Sequence, residues 1–129
     1  DISSDAVAAT RLNAAHAGAA VSVLRWDAGA LPVADRSVLR LATNPPWGRK
    51  ITTEAKRASF YARLGAEVDR ILAPGGRAVV LTSTPRLVHR WPLRIVRSME
   101  ISVYGQTPEV VVLERGKGVE AEGRLVPKT

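Results

Sequence analysis

The chain has 129 residues and a mass of 13.9 kDa, and it is 46% hydrophobic and 24% charged. That is enough apolar content for one folded domain or part of one, and too much for a disordered chain. It holds no cysteine, which excludes a disulfide scaffold, a thiolate metal site and a cysteine nucleophile. Nineteen Lys and Arg against twelve Asp and Glu leave a net charge of +7. Such an excess suits a polyanionic partner such as nucleic acid or anionic lipid, or it only keeps a surface soluble.

The apolar runs are too short for a transmembrane helix. No segment joins a basic start, an apolar middle and a small-residue cleavage site. Both observations lead to the expectation of a cytoplasmic protein. The only methionine is Met99 and residue 1 is Asp, so the expectation is a piece of something longer.

Residues 5–17 have little β-propensity and predict a helix, with Ser4 as its cap and Asp5 at its positive end. Ala8, Leu12 and Ala15 recur at helical spacing, and Gly18 is the stop. Residues 21–26 are apolar and β-branched and predict a strand. Residues 27–36 hold Gly29, Pro32 and Asp35 and read as a loop. A second strand is expected over 37–43, ended by Asn44-Pro45-Pro46 because proline cannot donate to a ladder. A long helix follows over 53–72, with Phe60, Leu64, Val68 and Ile71 on one face. Pro74-Gly75-Gly76 predicts a turn, and 78–81 a strand covered on both faces. Residues 85–91 predict a short helix. Runs 101–104 and 110–113 predict an antiparallel pair, and 116–129 a polar tail.

This order predicts an α/β fold whose sheet is mostly parallel with an antiparallel hairpin at its C-terminal end. In such sheets ligands lie beyond the carboxyl ends of the strands. Asp1, Asp27 and Asn44 all fall at or just after an expected strand end.

Asn44-Pro45-Pro46-Trp47 is the most informative stretch. As plain structure it is a strand end, a stiff turn and an aromatic residue over the core. As a site it has specific chemistry. Pro45 pushes Asn44 into an extended conformation, so the amide oxygen can point off the sheet rim. The Asn44 oxygen and the Pro45 carbonyl can accept the two hydrogens of an exocyclic amine, and Trp47 can stack on the planar ring that bears it.

The motif resembles the Asn-Pro-Pro-aromatic signature of class I S-adenosylmethionine-dependent methyltransferases that modify planar amino groups. The resemblance is wider than four residues. "DISSDAVAATRLNAAHAG", "WDAGALPVADRSV", "TNPPWGRK" and "ILAPGGRAVVLT" occur in the family's order and spacing. Segment order and the Gly-Arg-Lys after the motif are most similar to THUMP-associated RNA methyltransferases, which methylate guanine N2 in tRNA or ribosomal RNA. The similarity covers most of residues 1–115, which it marks as the C-terminal part of a Rossmann-like catalytic domain.

The resemblance implies S-adenosylmethionine as cofactor. It implies that Asp1 accepts from the ribose hydroxyls and that Asp27 lies near the adenine amino group, with Ala28 contributing backbone. The implied cofactor set is Asp1, Ile2, Asp27, Ala28 and Asn44; the implied catalytic set is Asn44, Pro45, Pro46 and Trp47. For Asp1 and Asp27 the plain alternative is an exposed loop carboxylate or a helix cap. The reaction needs positioning and fixed dipoles rather than a covalent nucleophile, and no metal is expected. His16 and His89 are expected to be ordinary surface or helix residues.

Arg49, Lys50, Lys56 and Arg57 follow the motif and are expected to meet RNA phosphates. Arg86, Arg90, Arg94 and Arg97 form a second basic group, read as a solvated face in preference to a phosphate contact. Against the family pattern, the first strand and its glycine-rich loop are absent. Leu39 and Arg40 stand where many relatives have an acidic residue, and Trp47 replaces the commoner tyrosine or phenylalanine. The expected activity is therefore RNA methylation at an exocyclic base amine. The alternatives are a DNA adenine-N6 or protein glutamine-N5 methyltransferase, or a fragment that only binds RNA or a partner.

Overall fold

In a computed structural model, which describes residues 1–46 and 53–117, Ser3 rather than Ser4 caps the first helix. The Ser3 hydroxyl accepts from the Ala6 amide at 3.2 Å and helix α1 runs Ser4–His16. Gly18 follows at a φ of 65°, the left-handed turn that ends a helix. The buried residue of α1 is Val7; Leu12, expected on the covered face, is 57% exposed. Residues Asp1–Pro32 form one compact unit, and the chain from Val33 forms a second.

The strand expected over 21–26 does not form a ladder. A strand exists only where a neighbour supplies hydrogen bonds along its length. Here the bonding is that of a single rung: Asp1 N donates to the Leu24 carbonyl at 3.2 Å and Trp26 N to the Asp1 carbonyl at 2.7 Å. Two arginines add side-chain bonds, from Arg25 to the Ile2 carbonyl at 2.9 Å and from Arg11 to the Val23 carbonyl at 3.0 Å.

The second unit is built on a sheet. Strand β1 is Val38–Thr43, helix α2 is Glu54–Ile71 and strand β2 is Leu72–Thr82. Helix α3 is Pro85–Val88, strand β3 is Arg94–Glu100 and strand β4 is Glu109–Glu114. The strand order is β1-β2-β4-β3. β1 pairs with β2 in parallel, while β2–β4 and β3–β4 are antiparallel. A parallel pair and a terminal hairpin are present as expected, but the sheet is mixed rather than mostly parallel: one of its three ladders is parallel, because β4 inserts between β2 and β3.

Pro74-Gly75-Gly76 is not a turn between elements but an insertion within β2. Val38 pairs with Leu72 and Arg40 with Arg77, so the residues between bulge out. Both glycines are required there. Gly75 has a φ of 75°, and a Cβ on Gly76 would sit 2.7 Å from the Ala73 carbonyl.

The core forms on the face that carries α2. Tyr61, Leu64, Val68 and Ile71 are buried, with Ala78, Val80, Val111 and Leu113 from the sheet and Leu87, Val88 and Trp91 beyond it. Each large apolar side chain removed from water there contributes about 1.5–3 kcal/mol. Tyr61 takes the place expected for Phe60, which is half-buried. The run 78–81 is not covered on both faces: Ala78 and Val80 are buried, but Val79 is exposed. The unit's own helices cover one side of this strand only.

The hairpin's first strand also differs from expectation. The ladder uses Arg94–Glu100, and 101–104 lie in the connection, where Tyr104 has a φ of 49°. β3 is an edge strand and every residue of it is exposed. Its charges mark an edge, and they made the segment read as part of a basic face.

Arg77, Glu114 and Arg94 form one cross-strand row. Glu114 is buried and accepts from Arg77 at 2.8 Å and from Arg94 at 3.1 Å. The hydrogen bond to Glu114 raises the Arg77 pKa above its ordinary value. Glu114→Ala is expected to lower unfolding free energy by about 2 kcal/mol, below the usual cost of breaking a buried pair because both arginines reach water. Urea denaturation checks this, and a change under 0.5 kcal/mol would show that the row contributes little.

Candidate functional site

In the first unit, the resemblance-derived cofactor residues come together through the backbone. Asp1 bonds to Leu24 and Trp26, so Asp1 and Ile2 lie beside the segment that leads into Asp27 and Ala28. Asp1 is exposed, and its Oδ1 accepts from the Ser3 amide at 2.9 Å, at the positive end of α1. Asp27 is half-buried. Its Oδ1 accepts from the Gly29 amide at 2.8 Å, and its carbonyl from Ala30 N at 3.0 Å. This local turn holds the carboxylate at the end of its segment. Two acceptor-only groups on neighbouring chain ends suit a ligand rich in hydroxyl and amine donors.

In the second unit, β1 ends at Thr43 and the motif begins. Asn44 is exposed, and its side-chain amide has no hydrogen-bond partner among the described residues. Pro45 is buried and Pro46 half-buried. Pro45 is anchored while the residue before it stays open to water. Trp47, Arg49 and Lys50 lie outside the described residues.

Parallel register places a second loop on the same rim. Thr43 pairs with Val80, so the Asn44-Pro45 corner lies next to the end of β2. There the buried Thr82 hydroxyl meets the Tyr61 hydroxyl at 2.7 Å and accepts from the Thr84 amide at 3.0 Å. Trp91 Nε1 donates to the Tyr61 carbonyl at 3.0 Å. These bonds fix a tight turn with exposed Ser83 at its apex, followed by Pro85 at the start of α3. Sequence reading passed over this loop. The signal was there: the next parallel strand end after Asn44 must share its rim.

Lys56 is exposed and Arg57 half-buried on the first turns of α2, whose cap is the Thr53 hydroxyl accepting from Lys56 N at 3.1 Å. In the second basic group, Arg86 pairs with Glu54 at 2.6 Å and Arg94 with Glu114, while Arg90 and Arg97 are exposed. His16 and His89 are exposed at helix ends. A pocket of about 310 Å³ lies between α2 and the residues after α3, lined by Ala62, Gly65, Asp69, Arg90 and Trp91 among others. It holds none of the motif residues.

A family profile described as RMKL-like, methyltransferase domain, matches residues 1–102. The curated tRNA (guanine(6)-N(2))-methyltransferase THUMP3 of Bos taurus is 27% identical over 107 residues, covering 76% of this chain and 21% of the relative. The Mus musculus protein of the same name matches with the same identity and coverage. The chain thus spans about a fifth of the length of the curated relatives it matches. Among solved structures, TrmN from Thermus thermophilus superposes with a TM-score of 0.79 at 29% identity, covering 89% of this chain and 35% of that one. The PH0226 protein from Pyrococcus horikoshii OT3 shares the fold with a TM-score of 0.68 at 15% identity, over 89% of this chain and 69% of its own.

Proposed function

Because the chain belongs to the RMKL-like methyltransferase domain family, we propose that the protein it comes from methylates an exocyclic base amine in RNA. The fold is Rossmann-like, of the class I S-adenosylmethionine-dependent methyltransferases, and is related to the THUMP-associated enzymes. Guanine N2 of tRNA is the favoured target, by analogy with the curated relatives, with ribosomal RNA as the second candidate.

Asn44 carries this reading. It is an exposed amide without a hydrogen-bond partner among the described residues, set before a buried proline at the end of a parallel strand. An exposed side chain fixed by its backbone and bonded to nothing is suited to a ligand.

S-adenosylmethionine, when bound, supplies an electrophilic methyl group on a sulfonium sulfur. The acceptor carboxylates of Asp1 and Asp27 fit the hydroxyl and amine donors of its nucleoside part. We assign Asp1 to the ribose hydroxyls and Asp27 to the adenine amine, with Ile2 and Ala28 adding backbone contacts. An aromatic amine is a weak nucleophile because its lone pair is delocalised into the ring. Asn44 Oδ1 and the Pro45 carbonyl accept its two hydrogens, hold them out of the ring plane and aim the lone pair. A lone pair held in that direction is what methylation of the nitrogen would require. Pro46 stiffens the corner and Trp47 stacks on the base. Arg49, Lys50, Lys56 and Arg57 are assigned to phosphates, and the base itself must be unpaired or extruded to enter.

Methyl transfer from labelled cofactor by the full-length protein tests this against tRNA, ribosomal RNA, DNA and a release factor. The expected label is in RNA, at guanine N2. Label confined to DNA or protein overturns the assignment.

A further inference from the structure

We propose that Ser83 reads the ring edge of the base whose amine Asn44 holds, an inference that rests on the amine-methylation reading above. Thr43, the last residue of β1, pairs with Val80 of β2, and Asn44 follows it directly. Ser83 is on the same rim. It directly follows β2, the strand beside the one that leads into the motif, and it is exposed.

Its loop is built to stay still. Thr82 is fully buried, and its hydroxyl is shared between Tyr61 and the Thr84 amide. The Trp91 indole bonds to the Tyr61 carbonyl below. Pro85 restricts Thr84 from the other side. Glu54 at the start of α2 pairs with Arg86 on α3 at 2.6 Å, which joins the two helix starts that follow the two loops. A rigid loop holds an exposed hydroxyl at little entropic cost on binding.

The chemistry follows from the base. In guanine the 2-amine is flanked by N1–H, a donor. A serine hydroxyl is both donor and acceptor and can accept from N1–H while Asn44 and Pro45 engage the amine. Bases outside a duplex are read along this edge. In 2-aminopurine the same amine is flanked by a bare N1, an acceptor, to which the hydroxyl can donate by rotating. Ser83 therefore tolerates both rings, whereas an acceptor-only side chain there would not.

The test uses the full-length protein and RNA carrying guanine or 2-aminopurine at the methylated position. Ser83→Ala should lower kcat/KM for both about tenfold, in the range of one lost base contact, with cofactor affinity unchanged. Ser83→Asp should retain guanine, because a carboxylate still accepts from N1–H, and should reject 2-aminopurine. Its guanine to 2-aminopurine preference should rise about tenfold over wild type. A Ser83→Ala enzyme within twofold of wild type, or Ala and Asp variants with the same preference, overturns this inference while leaving Asn44 in its role. Wild-type protein that transfers no methyl group to a base amine overturns the underlying reading and this inference with it.

Discussion

Asn44→Ala is expected to lower methyl transfer by about 100- to 1000-fold, to weaken cofactor binding far less and to leave thermal stability nearly unchanged. The size follows from removing one preorganised polar group aimed at the reacting atom. The selectivity follows from the structure. Asn44 is exposed and its side chain bonds to nothing in the described residues, so its loss leaves no buried group unpaired. Pro45 remains buried and keeps the turn. Asn44→Asp should lose less, because the carboxylate still accepts from the amine. Single-turnover transfer to RNA, calorimetry with S-adenosylmethionine and a melting curve measure the three quantities. Activity within about threefold of wild type would remove Asn44 from the mechanism.

The second large effect is on stability. A Cβ on Gly65 would lie 2.4 Å from both Cδ1 and Nε1 of Trp91, far inside contact distance. The indole cannot simply swing away, since it is 5% exposed and its Nε1 bonds to the Tyr61 carbonyl at 3.0 Å. Gly65→Ala should therefore cost about 1–3 kcal/mol through overpacking, even though alanine favours a helix over glycine by about 1 kcal/mol. Trp91→Ala should cost about 3–5 kcal/mol through the cavity it leaves. The decisive measurement is the double variant. With the indole gone, Gly65→Ala should stabilise by up to about 1 kcal/mol, a reversal of sign that denaturation in urea would show. Equal costs in both backgrounds would mean that the close approach is not what glycine serves.

Local chemistry was written plainly in the chain. The α2 segment carries an apolar stripe, and the structure places the helix bounds within a residue of expectation. Asn44-Pro45-Pro46 ends β1 because two successive residues lack amide donors, whatever surrounds them. The terminal hairpin was also visible, but not its first strand. β3 is charged and wholly exposed, so no apolar alternation announced it.

What needed the fold was partnership. Residues 21–26 have a strand's composition but one rung of bonding, and composition does not supply a neighbour. Val79 sits in an apolar run yet faces water, because which side a helix covers is a tertiary choice. Ser83 carried no motif and came into view only through the pairing of Thr43 with Val80. The sequence by itself determined the stiff Asn44-Pro45-Pro46 corner and the α/β class, since backbone restriction by proline and apolar periodicity are local. Only the tertiary structure decided which loop stands beside that corner, which strands pair and where glycine must yield to tryptophan. Those depend on contacts between residues far apart in the chain, and a residue's own identity does not encode its neighbour.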